Sequence, residues 1–145
     1  MDPQKSRVYE WEDLFSSFGK RSETRQSIRK LIRSASKRYN VEPPAVRFVS
    51  RAKSPSLTIT TYYDSSDHSI SMGYRSCNAA IAMHEVAHSI IAERYEDEPD
   101  HGERWLAVYM DLLEWAKVAP RSALHASAKE KRLKWSRRRA LHKGR

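Results

Sequence analysis

Three histidines and a glutamate lie close together in the stretch HEVAHSIIAERYEDEPDHGERW, which runs from residue 84 to residue 105. On a helix His84 and His88 lie about 40° apart around the axis and one turn along it, so both imidazoles can reach one metal ion. Glu85 lies beside them, where its carboxylate can contact a metal-bound water without binding the metal itself. This arrangement predicts amide hydrolysis by a zinc-activated water, with Glu85 as the general base.

A third metal ligand has to come from outside this pair, and His101 is the leading candidate. Pro99 and Asp100 are expected to break the chain and start a new helix, with Asp100 as its N-cap, so that His101 folds back over the histidine pair. We expect one Zn²⁺ per chain. Some zinc sites use two histidines and a carboxylate. Three carboxylates of the following helix remain alternatives: Glu103, Asp111 and Glu114.

Two other interpretations of the motif remain open. The residues that flank it are apolar, which indicates a largely buried helix: Ile81, Met83, Val86, Ala87, Ile90 and Ile91. Buried polar groups need partners, so the histidines and the glutamate can instead be hydrogen-bonded in a core without metal. Alternatively, the site binds metal and has lost hydrolysis.

The rest of the chain predicts an α+β fold that positions this motif. Apolar residues at three- and four-residue steps predict a first helix that stops at Gly19 and a second that begins near Ser22 as its N-cap. The runs AVRFVS, SLTITTYY and HSISM predict a small three-stranded sheet whose last two strands form a hairpin. Two more helices follow, from about residue 78 to 95 and from about 102 to 118.

Length and composition limit the class of protein. A chain of 145 residues has the size of one ordinary domain. No apolar run is long enough to cross a membrane, and the charged N-terminal stretch MDPQKSRVYEWEDLF lacks the apolar middle of a signal peptide. We therefore expect a cytoplasmic protein that is neither secreted nor membrane-bound. Cys77 is the only cysteine, which excludes an intrachain disulfide and a cysteine-based zinc ribbon.

The net charge of +9 is concentrated at the C-terminal end. Residues 121–145 hold ten basic residues and one acidic residue, whereas residues 1–120 are balanced. We therefore divide the chain into a domain at 1–120 and a basic extension at 121–145. Such an arrangement is typical of an arm that binds polyanions.

Two groups of residues are expected to bind DNA through its backbone phosphates, without sequence preference. The first is a stripe at four-residue spacing on the second helix: Arg21, Arg25, Arg29, Arg33 and Lys37. The second lies in the extension, where the aromatic side chain can stack on a base: Lys131, Arg132, Lys134, Trp135, Arg137, Arg138 and Arg139. A solvated face with a solubilising tail is one alternative, and an acidic protein or membrane surface is another.

The segments HEVAHSI and DHGERW resemble the SprT-like zinc metallopeptidases, a family that includes the Spartan-type proteases that act on protein crosslinked to DNA. Its pattern is an HExxH helix followed by a third histidine in an HGxxF or HGxxW segment, and the likeness in layout covers roughly residues 5–118. The resemblance implies a zincin-type fold in which an edge strand, expected at residues 68–72, holds the substrate as an added strand. It implies Glu85 as the catalytic residue and these zinc ligands: His84, His88 and His101.

This chain departs from the family pattern in two places. HGER lacks the proline that usually follows the glycine, and the C-terminal cysteine ribbon of several relatives is missing, with the basic extension in its place. The sequence therefore predicts an intracellular zinc metalloprotease that acts on DNA-associated proteins. The alternative is a non-catalytic DNA-binding or assembly protein that retains a zincin scaffold.

Overall fold

The computed structural model describes residues 2, 4–19, 23–49, 61–73, 78–95 and 97–136. Within these ranges the chain forms an α+β fold, as the sequence predicts. The helices are α1 (Lys5–Gly19), α2 (Arg25–Arg38), α3 (Ala79–Arg94), α4 (Glu103–Trp115) and α5 (Arg121–Glu130), and the strands are β1 (Ala45–Val49), β2 (Tyr62–Asp64) and β3 (Ser69–Gly73). Among the described residues, no helix is both long enough and apolar enough to cross a membrane.

The strands form one mixed sheet in the order β1-β3-β2. β3 pairs with β1 in parallel and with β2 antiparallel, and residues 65–68 form the turn of the predicted hairpin. Because β3 is paired on both sides and buried along its whole length, the prediction of an edge strand at residues 68–72 is wrong. Among the described strands, β1 and β2 form the edges. Residues 56–60 of the predicted second strand lie outside the described part of the chain.

α3 is the central helix of the fold and packs against α1, α2, α4 and β2. It begins at Asn78, whose side-chain oxygen accepts a hydrogen bond from the Ile81 amide at 2.9 Å. A helix that is covered on several sides needs apolar residues around its whole circumference. Almost every residue from Ala80 to Ile91 is buried, including His84 and Glu85. The core of the molecule therefore surrounds the helix that carries the motif.

The N-caps of α2 and α4 differ from the predicted ones. The Thr24 hydroxyl caps α2 by accepting from the Ser27 amide at 3.0 Å, whereas Ser22 lies outside the described residues. The N-cap of α4 is Gly102 rather than Asp100. The Glu98 carboxylate reaches over this position and accepts from the Arg104 amide at 2.8 Å. A side chain at Gly102 would clash with that carboxylate.

The C-terminal basic region packs on the body of the molecule as far as Ser136. α5 contacts α1 and α4. It places Leu124 in the core, and Leu133 follows it there. Trp11 Nε1 donates to Ser127 Oγ at 2.8 Å. Small residues and leucines are scattered among the cations of this region, so its apolar face was not predicted from the sequence. Residues 137–145 lie outside the described part of the chain.

Candidate metal centre

Three imidazoles converge where α3 meets the start of α4. His84 and His88 project from α3, and His101 lies just before α4. His84 Nε2 is 3.2 Å from His88 Nε2 and 3.4 Å from His101 Nε2. One ring nitrogen of each histidine lies within 4.8 Å of the other two. The three side chains are therefore close enough together to bind one metal ion.

The spacing of these nitrogens fits a tetrahedral metal site. With zinc–nitrogen distances of ~2.0–2.1 Å, tetrahedral geometry separates two ligand nitrogens by about 3.3–3.4 Å. Two of the three separations, 3.2 and 3.4 Å, agree with this value. Three protein nitrogens also leave the fourth position open for water or substrate, as catalytic zinc sites require.

Carboxylates hold the second ring nitrogen of two of the histidines. His84 Nδ1 hydrogen-bonds to Glu12 Oε2 at 2.9 Å, and His101 Nδ1 hydrogen-bonds to Asp2 Oδ2 at 2.5 Å. In a neutral imidazole that donates from Nδ1, Nε2 keeps its lone pair for a metal, so these bonds select the ligating tautomer. Neither acid was among the predicted site residues. The only signal for Glu12 was its position one turn after Val8 on the apolar face of α1.

Tyr109 completes the support of His84. Its hydroxyl donates to Glu12 Oε2 at 2.5 Å, and its side chain is fully buried. Burial and the negative charge of Glu12 raise the pKa of Tyr109 well above its usual value, so the hydroxyl remains a donor. Burial lowers the pKa of His84, but the hydrogen bond and the charge of Glu12 outweigh burial and the pKa is raised overall.

The other two histidines are held in the neutral form. Burial, followed by the neighbouring His84 and His101, lowers the pKa of His88 to about 2. Burial also lowers the pKa of His101, although the hydrogen bond from its Nδ1 to Asp2 acts in the opposite direction. A histidine must be neutral to bind a metal. Both side chains are therefore ready to bind one at neutral pH.

Glu85 is buried next to the histidines and is 7% exposed. The backbone of Tyr63, on β2, lies close enough to its carboxylate to lower its pKa. Burial is the largest influence on this group and raises the pKa of Glu85 to about 7, although His84 and the Tyr63 amide act against it. A carboxylate with this pKa can accept and release a proton near neutral pH, as a general base must.

The histidines and Glu85 line a cleft of about 600 Å³. Tyr9 of α1 forms one wall, and its ring lies parallel to that of His84 with a centroid distance of 6.3 Å. β2 lies along the cleft through Tyr62 and Tyr63. The predicted site contained none of these tyrosines, because they come from elements distant in sequence from the motif.

The carboxylates considered as alternative ligands are placed elsewhere. Asp111 accepts hydrogen bonds from Arg38 at 2.9 and 3.0 Å, from Tyr39 at 2.7 Å and from Arg121 at 3.1 Å. This ion-pair network joins α2, α4 and α5. Glu114 also pairs with Arg121, at 2.8 Å, and Glu103 is exposed. The structure thus brings His101, and none of the three carboxylates, to the histidine pair.

The predicted cationic stripe is exposed wherever the structure describes it. All four described members lie on the surface of α2: Arg25, Arg29, Arg33 and Lys37. The guanidinium groups of Arg25 and Arg29 lie over the Phe48 ring, at 5.4 and 4.9 Å from its centroid. One end of the stripe is therefore held against β1. Arg21 lies outside the described residues.

The cations of the C-terminal region also lie at the surface. Arg132 and Lys134 are exposed, and Lys131 is half-buried. Trp135 is half-buried too, and it stacks on His125 with a centroid distance of 4.9 Å. The Trp135 ring thus has an aromatic partner within the protein, and its stacking on a base stays a prediction. Arg137, Arg138 and Arg139 lie outside the described residues.

Comparisons of the chain with models of protein families, with curated proteins and with solved structures found no significant match. The resemblance to the SprT-like metallopeptidases therefore rests on the two histidine segments and on the order of the elements around them.

Proposed function

We propose that this chain is a zinc-dependent metallopeptidase of the SprT-like type. The observation that carries the proposal is the convergence of three Nε2 atoms, at 3.2 and 3.4 Å, beside the buried carboxylate of Glu85. A purely structural role for these histidines explains the geometry less well. A hydrogen-bonded core gives buried histidines separate partners and does not need three ring nitrogens to face one another.

The chemistry follows from the residues around the cleft. A zinc ion held by His84, His88 and His101 would lower the pKa of a water molecule to about 7 and polarise a carbonyl. Glu85 accepts the proton of the attacking water and then delivers it to the leaving amine. The pKa of about 7 suits both steps, because the carboxylate is neither permanently charged nor permanently protonated.

The edge strand β2 supports a peptide as the substrate class. It lies along the cleft and has a paired neighbour on one side only among the described strands. An extended peptide can add to such an edge through main-chain hydrogen bonds and lie across the histidines. The edge proposed here is thus residues 62–64 rather than the stretch at 68–72.

Charge supports a substrate associated with DNA. The exposed stripe on α2 and the surface cations Lys131, Arg132 and Lys134 offer two positive surfaces. Surfaces of this kind bind backbone phosphates regardless of sequence. The proposed enzyme therefore acts on proteins that DNA brings to it.

Zinc analysis and proteolysis of matched variants test the proposal. The wild type should bind about one zinc per chain and cleave an unfolded protein substrate in the presence of DNA, and His101→Ala should lose the zinc. Glu85→Gln should keep the zinc while its cleavage rate falls by at least ~10²-fold. The control is Glu103→Gln, an exposed carboxylate at the start of α4, which should keep both zinc and cleavage.

The outcomes separate the two classes of protein. A wild type that binds zinc but cleaves no substrate, with or without DNA, would favour the non-catalytic scaffold. Full cleavage by Glu85→Gln would show that another group is the base. Loss of zinc from Glu103→Gln, with retention in His101→Ala, would replace the third histidine by a carboxylate.

A further inference from the structure

Gln4 is a buried amide that joins separate parts of the chain. It is 5% exposed, and its backbone carbonyl accepts from the Val8 amide at 2.9 Å at the start of α1. Its Nε2 donates to the carbonyl of His101 at 3.0 Å and to that of Lys134 at 3.1 Å. Its Oε1 accepts from the Lys134 amide at 2.7 Å. One side chain thus connects the backbone of the third histidine to residues 131–136, here named the C-terminal segment.

Other contacts hold the C-terminal segment against the same region. The Ser136 amide donates to the Glu103 carbonyl at 2.9 Å, in the first turn of the helix that follows His101. Arg7 donates to the Arg132 carbonyl at 3.0 Å, and Leu133 is in the core. The position of the C-terminal segment and the position of the loop that carries His101 therefore depend on each other.

The same segment carries cations on its outer side. Arg132 and Lys134 are exposed, although the backbone of Lys134 is held by Gln4. A phosphate backbone can therefore bind the side chains without displacing the hydrogen bonds beneath them. Binding there would hold the segment in the position that Gln4 needs.

We propose that Gln4 is a positioning residue that couples nucleic-acid binding at the C-terminal segment to metal binding at the histidines. The amide makes all of its bonds only when the loop of His101 and the segment are both in place. DNA orders the segment and metal orders the loop, so each ligand lowers the free-energy cost of ordering the part that the other ligand binds. By reciprocity, metal must raise DNA affinity by the same factor as DNA raises metal affinity. The inference rests on the metal and DNA binding of the proposed function, and is independent of hydrolysis.

Zinc affinity, measured by competition with a chromophoric chelator, tests the coupling. It is determined with and without a saturating short DNA duplex of random sequence, at constant ionic strength, with duplex alone as the blank. In the wild type the duplex should tighten zinc binding by at least ~5-fold. Gln4→Met has a similar length but makes no hydrogen bonds. It should bind zinc about tenfold more weakly than the wild type without DNA. Its zinc affinity should be nearly the same with and without the duplex.

Two matched variants separate this role from general damage. Gln26→Met makes the same substitution at an exposed glutamine of α2 and should behave as the wild type does. Asp2→Asn removes the charge next to His101 Nδ1 and leaves in place the hydrogen bonds of Gln4 to His101 and Lys134, which do not involve Asp2. It should weaken zinc binding yet keep the effect of the duplex. If melting curves show that Gln4→Met is unfolded, Gln4→Glu replaces it, because it keeps the acceptor for the Lys134 amide and loses both donated bonds.

Each outcome has a distinct meaning. Equal zinc affinity with and without bound duplex in the wild type overturns the coupling and leaves the proposed function intact. A wild-type response to the duplex in folded Gln4→Met overturns the role of Gln4. A chain that binds no DNA overturns both the coupling and the DNA part of the proposed function, and a chain that binds no zinc overturns both the coupling and the metal centre.

Discussion

Glu12 is the acid whose removal tests the metal centre most directly, because it supports His84 without being a metal ligand. Its Oε2 accepts from His84 Nδ1 at 2.9 Å and from the Tyr109 hydroxyl at 2.5 Å. In Glu12→Gln the amide oxygen can still accept both bonds, so only the negative charge is lost. In Glu12→Ala both donors lose their partner and His84 is free to rotate.

The two variants should therefore weaken zinc binding by different amounts. A charged hydrogen bond contributes ~1.5–3 kcal/mol and a neutral one ~0.5–1.5 kcal/mol, so the loss of charge at His84 costs about 1 kcal/mol. This corresponds to about fivefold weaker zinc binding for Glu12→Gln. For Glu12→Ala we expect a loss in the upper part of the ~10–100-fold range that is typical when a ligand loses its outer partner.

Chelator competition at constant pH measures these losses, and Glu10→Gln is the matched control. Glu10 lies on the same helix but is exposed, so its amide variant should bind zinc as the wild type does. Melting curves of the metal-free proteins establish that all variants fold. Zinc affinities within twofold of the control for both Glu12 variants would refute the reasoning, because His84 would then need no carboxylate to present its Nε2.

Two further predictions concern pH and the C-terminal region. Burial raises the pKa of Glu85 from 4.5 to about 7, so the folded state favours the protonated carboxyl group. The metal-free protein should therefore lose about 2–3 kcal/mol of unfolding free energy as the pH rises from ~4.5 through 7. Chemical denaturation should show that Glu85→Gln loses this part of the pH dependence, and an unchanged profile would contradict the assignment. Deletion of residues 137–145 should leave the melting temperature and zinc content unchanged, whereas deletion of 121–145 should unfold the chain. The longer deletion removes the buried Leu124 and Leu133. Each contributes ~2–5 kcal/mol to the free energy of unfolding, which is ~5–15 kcal/mol for a typical domain. A folded, zinc-binding product would show that α5 is dispensable.

The sequence was sufficient for the parts of the site that depend on helical periodicity. His84, Glu85 and His88 lie on one helix, and their relative positions follow from its rise and turn alone. His101 was also predicted as the third member of the cluster, although the N-cap of the helix after it is Gly102 rather than Asp100. The α+β class and the hairpin likewise follow from local patterns of apolar residues.

Tertiary structure alone decided which strand is central and what supports the histidines. The alternating pattern of HSISM predicts a strand but not its neighbours, and the parallel pairing with β1 gave β3 its central position. Glu12 lies 72 residues from His84, and Asp2 lies 99 residues from His101. Contacts between residues so far apart leave no pattern in a single sequence, because an acid that supports a histidine has the same sequence context as one on a solvated surface. The relative positions of His84, Glu85 and His88 are thus determined by local geometry, whereas the groups that orient the candidate ligands are brought together only by the packing of α1 and α4 against α3.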